Sequence, residues 1–143
     1  MRETYDKNNI FAKILKREIP AIIVYEDDSA LAFMDVMPQG KGHVLLIPKI
    51  PCRNILDADP KILPHLIQMA QKLAQAVKKA FQADGVTIMQ FNEEASGQSV
   101  FHLHFHIIPR FNGIALKPHS GAPAPEEELK KEAEKIRAAL KEN

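Results

Sequence analysis

HLHFHIIPR, residues 102–110, places three histidines at every second position before Ile107, Ile108, Pro109 and Arg110. On an extended strand, successive side chains point to opposite faces. His102, His104 and His106 then share one face, while Phe101, Leu103, Phe105 and Ile107 share the other. The second set suits a hydrophobic core. The first does not, because a row of imidazoles spaced about 7 Å apart is costly to bury without partners. The chain has six histidines, and half of them stand in this one stretch.

Three explanations compete for the row. One is polar filling of a core, which accounts for a single buried histidine better than for three alternating ones. A second is a metal site, since imidazole binds zinc and similar ions; it calls for further Cys, Asp or Glu ligands, and the only cysteine, Cys52, is remote in sequence. The third is catalysis or phosphate binding, for which histidine is suited by its ability to change charge near neutral pH. The surroundings favour the third. Asn92 closes a strand-like run, Gly97-Gln98-Ser99 makes a polar approach, and His43 opens another strand after Gly42. A glycine at 97 lets backbone N–H groups come close to an anion.

Composition narrows the classes of function. The 143 residues fit one domain with a core at about 8–110 and a C-terminal extension over 111–143, and 45% hydrophobic residues are enough to fill a single core. Nineteen Lys+Arg against eighteen Asp+Glu leave a net charge of +1. That balance offers no general attraction for nucleic-acid polymers or anionic lipid. A lone cysteine forms no intrachain disulfide, MRETYDK is too polar to open a signal peptide, and no apolar run approaches a membrane span. A cytoplasmic protein is expected.

The rest of the chain predicts an α+β fold with a mostly antiparallel sheet. NNIFAKILKR (8–17) puts Ile10, Phe11, Ile14 and Leu15 on one face of a short helix that Asn8 or Asn9 can cap. AIIVYE (21–26) and ALAFMD (30–35) form a hairpin, MPQGKG (37–42) a loop, and HVLLIP (43–48) a buried strand. Ile62, Leu66, Met69, Leu73, Val77 and Phe81 make the stripe of a long helix over 60–82. VTIMQFN (86–92) and FHLHFHIIP (101–109) are strands. The proline- and glycine-bearing run 113–128 is mostly irregular, and Glu126–Lys141 is a final helix with an acidic start and a basic end. His65 and His119 share no pattern with the triad and are assigned to surface or helix packing.

HLHFHII, 102–108, meets every place of the histidine–hydrophobic signature of the histidine triad (HIT) family of nucleotide hydrolases and transferases. FAKILKREIPAIIVYEDDSALAFMDVMPQGKGHVLLIPK (11–49) resembles the family's amino-terminal half, and NEEASGQSVFHLHFHIIPR (92–110) its catalytic segment. The likeness spans about 100 residues and is nearest to the bacterial, Hint-like phosphoramidase branch. It implies a HIT-like fold and a hydrolase acting at the α-phosphate of purine nucleoside phosphoramidates or dinucleoside polyphosphates. By the same resemblance, His104 matches the nucleophile, His106 a phosphate contact, and His102 and His43 supporting members of the histidine network. Asn92 and Ser99 match polar groups at the phosphate or leaving group, and Gln98, in the same loop, is counted with the nucleotide-binding residues. Asp35 matches the acceptor of the ribose hydroxyls, and Phe11, Ile14 and Phe33, with Ile10 and Val36 beside them, match the slot for the base. A nucleotide-binding regulatory protein with incidental catalysis, and a metal-dependent hydrolase, are the alternatives.

The resemblance also implies a homodimer built around residues 62–92, and no cofactor. Some bacterial relatives carry structural zinc through a Cys-x-x-Cys and later histidines. Here the matching positions hold Asn9 and Ala12, and Pro51 stands where a histidine is usual, so no structural zinc is expected. The tryptophan-containing ending of eukaryotic Hint-like proteins is absent as well.

Overall fold

The computed structural model describes residues 4–119 and 122–142. It is an α+β fold. Helix α1 spans Ile10–Leu15, α2 Leu63–Ala80 and α3 Glu126–Lys141; the strands are β1 Ile23–Glu26, β2 Ala30–Met34, β3 Val44–Pro48, β4 Gly85–Met89 and β5 Phe105–Arg110. They form one sheet in the order β1-β2-β3-β5-β4, with every neighbouring pair antiparallel.

Alternation along the strands divides the core. Ala30, Ala32 and Met34 of β2 and Val44 and Leu46 of β3 face α2 and α3, where they meet Leu66, Met69, Leu73, Val77, Leu129, Ala133 and Ile136. Leu31, Phe33, Leu45 and Ile47 point the opposite way and pack with Phe11 and Ile14 of α1. Asn9 caps α1 by accepting from Ala12 N at 2.9 Å, satisfying one of the free N–H groups at the helix start. Helix α2 follows a 3-10 turn over Pro60–Ile62, capped by Asp59, so the apolar stripe begins in that turn and ends at Phe81 just past the helix. The terminal helix is docked: Arg137 Nε donates to Ile23 O at 3.0 Å, and buried Glu132 accepts from Gly42 N at 2.9 Å. Gly42 has φ +78, and a Cβ there would lie 2.5 Å from the Phe81 ring, so both backbone and space require glycine.

The strand expected over 101–109 begins only at Phe105. Before it, Leu103 N donates to Cys52 O at 2.9 Å, and the His102 ring donates to Pro48 O at 2.9 Å. These bonds replace ladder bonds and turn His102 into the interior, away from the row it was expected to share. On the other face, Leu103, Phe105 and Ile107 join the helix-facing core. Phe101 does not; it is half-buried beneath the Arg53 guanidinium, 4.1 Å from its ring centroid. The strand expected over 86–92 ends at Met89, because Gln90 and Asn92 fold back onto each other through side-chain hydrogen bonds.

Candidate active site

Strand register builds the site. Phe33 pairs with Leu45, Leu45 with His106, and His106 with Met89, so these side chains cross the sheet as one row on the α1 side. The β2–β3 connection sets Asp35 beside His43, with Asp35 N donating to His43 O at 3.0 Å. A cavity of about 120 Å³ opens here, lined by Ile10, Phe11, Ile14, Phe33, Asp35, Val36, Ser99, His104, His106 and His119, among others. Wider clefts of about 520 and 710 Å³ lie to its side, but no histidine lines either.

Backbone partners fix the proton positions. His104 Nδ1 lies 2.7 Å from His102 O; a carbonyl only accepts, so Nδ1 carries the proton and Nε2 keeps its lone pair. Gln39 N donates to His43 Nδ1 at 3.0 Å, which leaves the His43 proton on Nε2, and that proton is donated to His106 Nδ1 at 2.9 Å. Asp35 Oδ2, at 3.5 Å from His43 Nε2, is too distant to compete. The remaining ring proton of His106 is then on Nε2. Neither Nε2 has a bonded partner among the described residues, and neither is sealed from solvent. The two adjacent rings, 5.0 Å apart at their centroids, thus present opposite characters: a lone pair on His104 and a donor on His106.

Burial keeps the network neutral. It pushes His43 and His106 down to about 3 and His102 down to about 4, with neighbouring imidazoles adding to the shift. It also lowers His104, against the raising effect of the His102 carbonyl and the Asp35 charge. A neutral His104 retains the lone pair that a nucleophile requires. The Phe11 ring stands edge-on to it at 4.9 Å between centroids.

His102 supports the site without lining it. Its Nε2 is held by Pro48 O, and its Nδ1 accepts from Tyr5 Oη at 2.6 Å, so its carbonyl is steadied where His104 binds. Asn92 is held by Gln90 and Ile55 N, and Gln98 is buried and bonds Asn54, Arg53 O, Val100 O and Glu93 N. Neither lines the cavity; both brace the loop that brings Ser99 to it. His65 lies at the surface on Asp27, as expected. His119 is exposed, as expected, but it also takes part in the site: it bonds Asp35 Oδ2 through Nε2 at 2.7 Å and lies 6.1 Å from the His106 centroid. Buried Asp35 also accepts from Met37 N at 2.9 Å, while desolvation raises its pKa. No local pattern announced His119 or Tyr5, since each reaches its partner across most of the chain.

Asp35, His43 and His106 each offer one potential metal-ligand atom, all within 4.8 Å of one another. The fit to a metal is poor: His43 Nε2 carries the proton that binds His106, and ligation through that atom would require losing the Gln39 contact or the His–His bond. His43 and His106 satisfy each other instead, and Asp35 is held by Met37 N and His119.

A model of the HIT domain matches residues 16–113. The chain belongs to the HIT family. A Hit-like protein involved in cell-cycle regulation from Bartonella henselae, whose crystal holds an unknown ligand, is 58% identical with a TM-score of 0.91, covering 96% of this chain and 99% of that one. A hypothetical histidine triad nucleotide-binding protein from Sulfolobus tokodaii is 32% identical with a TM-score of 0.85, over 92% of this chain and 91% of that one. A zinc-bound histidine triad protein from Mycobacterium smegmatis is also 32% identical, with a TM-score of 0.83 and 94% of each chain covered. A HIT fold with clustered histidines and an aspartate supports nucleotidyl-transfer or hydrolase chemistry in general. No helix among the described residues is long and apolar enough to cross a membrane.

Proposed function

We propose that this HIT protein hydrolyses purine nucleoside phosphoramidates, and secondarily dinucleoside polyphosphates, as a member of the bacterial Hint-like branch. The observation that carries the reading is the His104 ring, fixed by His102 O with its unpaired Nε2 left to the cavity. His104 Nε2 attacks the α-phosphorus; the Nε2–P bond forms as the P–N bond breaks, and the amine departs with the bonding pair and a proton taken from solvent. Water then attacks phosphorus and gives up one proton to solvent, the Nε2–P bond breaks, and the nucleoside monophosphate leaves with the lone pair restored to His104. The His106 Nε2–H is suited to bind a phosphate oxygen. Asp35 accepts the ribose hydroxyls in charge-assisted bonds, and Phe11, Ile14 and Phe33 flank the base, with Ile10 and Val36 at the half-exposed mouth.

The test is a panel of adenosine and guanosine 5′-phosphoramidates and dinucleoside polyphosphates with the purified protein. Release of AMP or GMP, unaffected by chelator, is expected. Monophosphate binding without release from any of them would favour a regulatory nucleotide-binding protein instead. The same reading takes the chain as a homodimer through α2 and edge strand β4, where Ile67 and Ile88 are exposed. Sedimentation at micromolar concentration should show the dimer; a 16.1 kDa species would contradict it.

A further inference from the structure

The cavity holds about 120 Å³, whereas pockets for ligands of nucleotide size begin at about 300 Å³. A nucleoside there either projects from the open mouth or displaces part of the lining. Phe11 and Ile14 are fixed in a helix that packs on the sheet, and Phe33, Leu45 and His106 are fixed in strands. His119 is held differently. It stands in irregular chain outside the residues matched by the HIT model, its side chain is 38% exposed, and one hydrogen bond, to Asp35 Oδ2, secures its ring among the described residues. That bond occupies the carboxylate assigned above to the ribose.

We propose that His119 is a further specificity-determining residue of this site, an internal stand-in for the ribose diol. This rests on the reading of Asp35 as the ribose acceptor. Asp35 is 3% exposed, and a carboxylate so buried is costly unless donors reach it. In the free protein Met37 N and His119 Nε2 supply them. A ligand with two vicinal hydroxyls replaces the donor it displaces; a ligand without them leaves the carboxylate short. His119 both guards Asp35 and sets the affinity a nucleotide shows, because each binding event must break its bond. The site thereby selects against phosphate compounds that lack a diol.

Calorimetric titration with AMP and GMP tests this in the wild-type chain, His119→Ala and His119→Gln. Removing the competitor should tighten monophosphate binding roughly tenfold in His119→Ala, the worth of one hydrogen bond to a charged group. His119→Gln, which keeps an N–H donor, should remain near wild type and controls for folding. The imidazole ¹⁵N signals of wild-type His119 should shift when AMP saturates the site. Unchanged or weaker binding in His119→Ala, or unshifted His119 signals in the saturated protein, would overturn the proposal while leaving the nucleotide site intact. Failure of all three proteins to bind either monophosphate would instead overturn the nucleotide reading, and this inference with it.

Discussion

Between Leu103 and Ile107, side chains held in two unlike ways alternate residue by residue. Leu103, Phe105 and Ile107 press against α2 and α3 among apolar neighbours, and Ile107 is fully buried. His104 and His106 look the other way and are placed by hydrogen bonds, one donated by His104 to a carbonyl two residues back and one relayed from Gln39 through His43. Apolar packing is non-directional and fixes the strand in place. Hydrogen bonds are directional, and they decide which ring nitrogen carries a proton. The contrast teaches that stability and chemistry are separable here although they share a single strand.

The sharpest break of that contrast is His104→Ala. Turnover should fall on the order of 10⁴-fold, as when a covalent nucleophile is removed, while AMP binding and thermal stability stay close to wild type. Retained turnover would reject the assignment. Ile107→Ala should do the reverse, costing about 2–5 kcal/mol in denaturant unfolding with little change in kcat per folded molecule. A large loss of kcat in folded Ile107→Ala would show that the two faces are coupled.

Acid probes the hydrogen-bonded side alone. His43, His102 and His106 have folded pKa values of about 3, 4 and 3 against 6.5 for the free group. Between those values the unfolded chain binds more protons, so stability is complete above about pH 6.5 and is lost as pH falls toward the folded pKa values. Unfolding free energy should drop by about 1 kcal/mol per histidine between roughly pH 7 and 5.5. Asp35, whose pKa burial raises, acts in the opposite sense. A flat melting temperature across that range would mean that these rings are not buried neutral. The smallest effect belongs to Tyr5→Phe, which leaves His102 Nδ1 without its donor. A loss of about 1 kcal/mol in stability and a few-fold decrease in kcat with unchanged AMP affinity are expected; a change in affinity alone would show that Tyr5 acts on the ligand rather than through His102.

Much of the architecture was legible because it is written in short-range pattern. The stripe from Leu66 to Val77 gave α2, and the alternation in ALAFM and VLLIP gave the central strands. Phe11, Ile14, Phe33, Asp35, His104 and His106 converge on one cavity, in keeping with the family likeness. What escaped was tertiary. Strand period alone put His102 in line with the other two, whereas contacts to Pro48 O and Cys52 O pull residues 102 and 103 out of the ladder. Tyr5 meets His102 from 97 residues away, and His119 meets Asp35 from 84, so neither leaves a trace in local spacing. Asn92 and Gln98 stand in a polar loop, and the hydrogen bonds that tie that loop together reach residues 53–55, which local spacing does not announce.

The most direct test of the covalent mechanism is a single turnover with adenosine 5′-phosphoramidate, quenched in alkali at successive times and mapped by peptide mass. The account predicts a transient adenylyl group on the peptide bearing His104, absent from His104→Ala. An adduct on another residue, or full conversion with the protein unlabelled throughout, would contradict it.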